Sequence, residues 1–178
     1  MFHRSERLLL RPIWPEDWLA IKAGISDLEV LRNLASAPYP YQDQDAQDFT
    51  RRPVEPRFAR FLVTRAADAE VLGTIGIDPS PTDEPELGYW IAREHWGHGY
   101  ATEAGRGVIK IAQVLGHNRL VASHFLDNPA SGKVLRKLGF VATGDVSERF
   151  SLGRSEEAPA ADYEFDLLSE TGGMKCAA

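Results

Sequence analysis

The sequence predicts a mixed α/β domain of the α+β kind: a central sheet, largely antiparallel, with helices packed over it. Three observations predict it. Two β-rich runs, RFLVTRA (60–66) and EVLGTIGID (70–78), are parted only by ADA, the signature of an antiparallel hairpin. A third strand-like run, ELGYWIA (86–92), leads into a long helical pattern from Gly99 to about Leu115, with Ala101, Ala104, Val108, Ile111, Ala112 and Leu115 forming an apolar stripe. A further strand, RLVASHF (119–125), is followed by a second helix, so hairpins give way to strands alternating with helices.

In chain order, ERLLLRPI (6–13) reads as a strand and WPEDWLAIKAGI (14–25) as a helix, with Pro15 at the first helical position and Glu16 and Asp17 favouring its positive end. SDLEVLRNL continues helical. ASAPYPYQ (35–42) must be a loop, because Pro38 and Pro40 hold their neighbours extended. Asp43 or Asp45 caps a short helix through DAQDFTRR, which Pro53 and Pro56 end. PSPTDEP (79–85) turns the chain into ELGYWIA, and Gly116 closes the long helix. In DNPASGKVLRKLGF the helix punctuation is complete: Asn128 as N-cap, Pro129 first, Gly139 as the left-handed terminator. FVATGDV (140–146) and ADYEFDLL (161–168) read as two last strands around a charged loop, GRSEEAPA (153–160). There is no internal repeat.

A chain of 178 residues, 43% hydrophobic and 26% charged, suits one compact domain, assigned to 1–168, with 169–178 a flexible polar tail. The formal net charge of -6 argues against a grip on nucleic acid or anionic membrane by bulk charge. The single cysteine, Cys176, excludes an intramolecular disulfide, and the three-leucine run near the N-terminus is too short for a membrane span or a signal core. A soluble, unprocessed, cytoplasmic protein is expected. His3, His95, His98, His117 and His124 lack metal-ligand spacing, so no metal is expected.

HWGHGYATEAG (95–105) places two glycines between a strand and a helix, where successive backbone N–H groups and the helix dipole can meet an anion. A sharp structural turn explains the glycines equally well. A dinucleotide fingerprint fails because Thr102 stands three residues beyond Gly99, and no Lys-Ser/Thr pair follows as a P-loop requires. The helix starting at Asn128 lies one strand later, so in a parallel arrangement both helix N-termini share one sheet edge and together fit one long ligand.

With ELGYWIAREHWGHGYATEAGRGVIKIA followed by DNPASGKVLRKLGFVATGD, the chain resembles the acetyl-CoA-binding core of the GNAT superfamily of N-acetyltransferases. ERLLLRPIWPEDW and the APYPYQ loop resemble its RimJ/RimL-type branch, which acetylates ribosomal-protein N-termini; the likeness spans residues 4–168. The resemblance implies a mixed, twisted sheet with a splayed pair of parallel strands at the acetyl-CoA cleft and helices on both faces. It implies pyrophosphate binding by the N–H groups of His98, Gly99, Tyr100, Ala101 and Thr102, although Trp96 stands where the superfamily usually has Arg or Gln. It implies that Trp90 and Ile91 pair with the pantetheine arm and that Asn128 touches it. The superfamily's thiolate-protonating tyrosine falls at Leu135 and does not carry over; the branch's serine falls at Ser131. Arg32, Tyr39 and Tyr41 lie where the family covers its acceptor.

Acetyl transfer needs a neutral amine and donors for the developing oxyanion. An α-amine, of reference pKa about 7.7–8.0, needs less help at neutral pH than a lysine amine at about 10.4. A serine hydroxyl is a weak acid, so Ser131 fits a hydrogen-bond donor to sulfur. Glu86 is the general-base candidate, through water, with Glu84 and Glu103 as rivals. The expected activity is acetyl transfer from acetyl-CoA, as co-substrate, to a primary amine. A protein N-terminus is the first acceptor to consider and a small amine the second; a non-catalytic acyl-CoA-binding module is the alternative outside enzymes. Oligomeric state is left open, a homodimer included.

Overall fold

The computed structural model describes residues 1–168, so the tail at 169–178, with Cys176, lies outside the described residues. One eight-stranded sheet organises them. The strands are β1 (His3–Arg4), β2 (Leu8–Pro12), β3 (Ala59–Arg65), β4 (Val71–Pro79), β5 (Pro85–Ile91), β6 (Arg119–Phe125), β7 (Val141–Ser151) and β8 (Glu156–Asp166). Their spatial order is β1-β2-β3-β4-β5-β6-β8-β7, with every neighbouring pair antiparallel except β5 and β6. That parallel pair is joined at one registered position, Glu86 opposite Val121, and beyond it the strands are unpaired.

Helices α1 (Trp18–Ile25), α2 (Leu28–Leu31) and α3 (Asp43–Arg51) cover one face, and α4 (Tyr100–Val114) and α5 (Pro129–Leu138) the other. Strand alternation feeds the two layers: Phe61 and Val63 join the α4/α5 core, while Leu62 between them joins the α1–α3 core with Ile21, Leu31 and Trp90. The α4 stripe is buried as its spacing requires, through Ala104, Val108, Ile111 and Ala112. Gly139 ends α5 at φ 96°, and Gly116 follows α4 at φ 83°.

Three details differ from expectation. Asp43 opens α3 rather than capping it; Gln42 is the N-cap, and its N–H donates back to the Asp45 carboxylate at 2.7 Å. The two-residue β1 was too short to leave a pattern. The charged segment 153–160 is mostly strand: β7 and β8 run for 11 residues each and meet in a tight turn. β7 is an edge strand and most of it is exposed, and Glu156 and Glu157 at the start of β8 lie beyond its pairing with β6 and are exposed too, so charge there and at Glu148 and Arg149 is compatible with pairing. No helix among the described residues is long and apolar enough to cross a membrane.

Candidate active site

Where β5 and β6 part, a cleft of about 590 Å³ opens through the sheet, within the range of roughly 300–1,000 Å³ usual for small-molecule sites. It is lined by β5 from Glu86 to Trp90, the end of β6, Asn128 and Ser131 of α5, and the segment from Asn33 to Pro38 after α2. Main-chain parity decides what β5 offers it. Ala92 N–H donates to Leu72 of β4 at 2.8 Å, so Trp90, two residues back, also turns its main chain to β4, where it pairs with Thr74. Tyr89 and Ile91 therefore turn theirs toward the gap. Trp90 presents its side chain instead, to the cleft and the α1–α3 core.

The glycine turn enters α4 with both glycines left-handed, Gly97 at φ 81° and Gly99 at φ 78°. Gly99 is the N-cap and no side chain among the described residues caps the helix, which leaves its first N–H groups open to a ligand. A Cβ on Gly97 would meet nothing within 4 Å. An uncapped helix start, bare backbone and an unfilled strand gap together fit an anionic ligand with an amide-bearing arm. His98, Tyr100, Ala101 and Thr102 share this turn, His98 stacked on Tyr100 with ring centroids 5.7 Å apart. Trp96 holds the turn in place of a cationic side chain: its indole N–H donates to the Ile91 carbonyl at 2.7 Å.

The loop is buttressed from the opposite end of the chain. Glu103 accepts from Ser5 Oγ at 2.6 Å and from Arg7, whose guanidinium also donates to the His98 carbonyl at 3.0 Å. Desolvation pushes the Glu103 carboxyl up, but the Ser5 and Arg7 donors outweigh it and hold it below the usual range. Glu103 thereby ties the N-terminal segment to the first turn of α4. Glu84 is drawn to Thr82 and Arg119 on the surface.

Glu86 lies on the cleft wall. Its Oε1 accepts from Arg149 at 2.8 Å and from Ser123 Oγ at 3.2 Å, while Oε2 has no partner among the described residues. Across the gap, Asn128 caps α5 by accepting from the Ser131 N–H at 3.3 Å, and the Ser131 hydroxyl lies 2.8 Å from the Tyr89 hydroxyl. Burial pushes the Tyr89 phenol up to about 12, against the lowering effect of its contact with Ser131. Leu135 is buried in the core. Sequence reasoning passed over Tyr89 although parity could have found it, since alternation from Trp90 turns Tyr89 to the α5 side. Arg149 was hidden by the misread β7.

The residues expected on the acceptor side, Arg32, Tyr39 and Tyr41, separate. Tyr41 is buried and lines the cleft, its phenol raised to about 12, by desolvation first and then by Asp45. Tyr39 is 51% exposed and not on the cleft wall. Arg32 is off the wall too: with Arg154 it grips Asp127, next to Asn128. The Arg154 hydrogen bonds are the main reason the Asp127 carboxyl sits below its ordinary value. Beside this cluster the β7–β8 turn is locked to the chain after α2, Ser151 Oγ donating to the Leu34 carbonyl at 2.8 Å and Leu152 N–H to Ala35 at 2.9 Å. Among the described residues no cluster of His, Cys, Asp and Glu is arranged to hold a metal ion.

Residues 7–141 match the family model described as an acetyltransferase (GNAT) domain. The chain is 34% identical over 146 residues to the uncharacterized N-acetyltransferase YoaA of Bacillus subtilis, covering 79% of this chain and 82% of YoaA. Among solved structures, a GNAT-family acetyltransferase from Bacillus anthracis superposes with a TM-score of 0.81 at 22% identity, covering 94% of this chain and 99% of that one. The ribosomal-protein α-N-acetyltransferase RimL, solved in complex with coenzyme A, superposes with a TM-score of 0.78 at 16% identity, covering 93% and 98%. These two likenesses are of fold.

Proposed function

Because the chain belongs to the GNAT acetyltransferase family and is an acetyl-CoA-dependent N-acetyltransferase, we propose that its acceptor is a protein N-terminal α-amine, as in the RimJ/RimL-type branch. The observation that carries this is the state of Glu86, one oxygen committed to Arg149 and Ser123 and the other, on the cleft wall, without a partner among the described residues. Any carboxylate is a weak base. It matches an amine that is roughly a tenth neutral at pH 7 far better than a lysine-like amine that is neutral in about one molecule per few thousand. The charge on the cleft wall agrees: Asp45, Asp48, Asp78 and Glu86 are matched by Arg51, Arg52, Arg60 and Arg149. A balanced wall suits a peptide and gives a polycationic small amine no net attraction.

Bound acetyl-CoA supplies the acetyl group as an activated thioester. The N–H groups from His98 to Thr102 hold its pyrophosphate, and Ile91, with Tyr89 beside it, offers main-chain partners to the pantetheine amides. Asn128 holds the start of α5 beside that arm. Glu86 takes the proton of the attacking amine through water, and Ser131 donates a hydrogen bond to the sulfur. The N–C bond forms, the C–S bond breaks with its electron pair left on sulfur, and the amine's proton leaves by Glu86. Tyr41 shapes the acceptor side directly, while Arg32 acts on it by fixing the segment after α2.

Coenzyme A thiol release should be measured with unblocked peptides, the same peptides N-terminally blocked but carrying a lysine, and a set of polyamines and aminoglycoside-like amines. Turnover confined to the unblocked peptides is expected. Turnover of the small amines instead would replace the protein acceptor with a small one, and tight acetyl-CoA binding without turnover of any amine would make the chain a binding module.

A further inference from the structure

We propose that Tyr89 is the positioning residue of the Ser131 hydroxyl: its phenol donates to Ser131 Oγ, which leaves the one Ser131 proton free to point at the sulfur of coenzyme A. The inference rests on the role given to Ser131 above. Its starting point is geometric, since the two hydroxyls are 2.8 Å apart and both residues line the cleft. They come from neighbouring elements, Tyr89 from β5 and Ser131 from the first turn of α5, so the pair bridges strand and helix on the α4/α5 face of the sheet. The Tyr89 ring is packed against the α4/α5 core, which restricts the phenol.

The Tyr89 hydroxyl also lies 3.5 Å from the Ser131 carbonyl, a longer contact than the 2.8 Å to Ser131 Oγ, and acidity favours Tyr89 as donor in the shorter one. A phenol is a stronger acid than an aliphatic hydroxyl, so it is the better donor of the two, and the serine oxygen the better acceptor. A serine that accepts from Tyr89 keeps its own proton for a second partner. Without Tyr89 the Ser131 hydroxyl is a free rotor, able to turn its proton to a carbonyl or to water as readily as to the sulfur. Burial keeps Tyr89 protonated, its phenol pushed up to about 12, so it remains a donor across any ordinary assay pH. Tyr89 itself transfers no proton; its effect reaches the sulfur only through Ser131.

The test uses Tyr89→Phe, Ser131→Ala and the double variant, each first shown to keep its thermal unfolding transition. Two quantities are read: kcat and KM for acetyl-CoA, and the ionisation of the coenzyme A thiol on the enzyme, followed by thiolate absorbance in the absence of any acceptor. Tyr89→Phe is expected to lower kcat roughly tenfold with KM nearly unchanged, and to raise the bound thiol pKa by roughly half to one pH unit, because a donor to the thiolate has lost its aim. In the Ser131→Ala background the same substitution should have no further effect on either quantity. Additive losses, or a Tyr89→Phe enzyme with both quantities unchanged, overturn the positioning role. If Ser131→Ala alone changes neither quantity, the role of the Ser131 hydroxyl fails, and the positioning role with it. If Ser131→Ala acts and Tyr89→Phe does not, only the positioning role fails.

Discussion

Replacing Gly99 with alanine tests the phosphate loop with two separable readouts. Gly99 is the N-cap of α4 at φ 78° and ψ 8°, where an L side chain is disfavoured by about 1–2 kcal/mol. The protein leaves room for the methyl group, the nearest atom to an added Cβ being Arg7 Nη2 at 3.8 Å, so strain rather than collision sets the cost. Alanine also restricts the unfolded chain, which returns about 0.4–1 kcal/mol, leaving a net loss near 1 kcal/mol and a fall of roughly 2–4 °C in melting temperature. Binding should suffer more. Relieving the strain rotates the peptide planes on either side of residue 99, and losing one charge-assisted donor to a phosphate is worth about 1.5–3 kcal/mol, or roughly ten- to a hundredfold in affinity. Titration calorimetry with coenzyme A and with pantetheine, which lacks the phosphates, reads this directly. Coenzyme A affinity should fall while pantetheine affinity holds. A destabilised protein that binds coenzyme A within about twofold of the parent, or one that loses both ligands equally, would refute pyrophosphate binding at this turn.

Glu86→Gln should lower kcat roughly a hundredfold or more at neutral pH with acetyl-CoA affinity intact, and the deficit should narrow as pH rises and the acceptor amine deprotonates unaided; full activity at pH 7 would remove Glu86 from the mechanism. Asp17 is held by Arg11 at 2.7 and 2.8 Å and by the Trp14 N–H at 2.7 Å, and although desolvation raises its carboxyl, these partners outweigh it and keep it below its usual value. Asp17→Asn should cost about 2–3 kcal/mol in denaturant unfolding. Because the folded-state pKa is the lower one, this contribution is complete above the unfolded value near 3.9 and fades as pH falls through the folded value, so parent and variant stabilities should converge in acid. Gly153→Ala sets a Cβ 2.4 Å from the Leu31 carbonyl; it should cost about 1–3 kcal/mol and raise KM for the acceptor without changing coenzyme A affinity, and an unchanged acceptor KM would detach the β7–β8 turn from acceptor binding.

How far the sequence was legible depended on how local each signal was. The α5 boundaries follow from Asn128, Pro129 and Gly139, residues that impose their conformations wherever they stand, and all three lie where their chemistry requires. β3 and β4 were equally plain as near-continuous apolar runs, because both faces of those strands are covered by helices. β7 and β8 were read only in part, at 140–146 and 161–168, because β7 is exposed along most of its length and tolerates charge in any order. The glycine turn before α4 was legible because it is made of backbone, and glycine marks where backbone is bare. The acceptor side was not. The partners of Glu86 and Ser131 lie 63 and 42 positions away from them, at Arg149 and Tyr89, and pairs at such separations leave no periodicity to read. Arg32 and Tyr39 were placed by position in the chain, and position does not say which way a side chain turns.

The joint between the β7–β8 turn and the chain after α2 bears on how acceptor preference drifts in descendants of this sequence. The segment that walls the proposed acceptor side is held by Ser151, Leu152 and Arg154, residues more than a hundred positions downstream that are not on the cleft wall. Changes in that turn can therefore accumulate without touching substrate, cofactor or catalytic groups, and still move the wall. A library aimed at a new acceptor should randomise the turn together with residues 33–38, since selection on the wall alone would explore shapes that an unaltered clamp keeps pulling back.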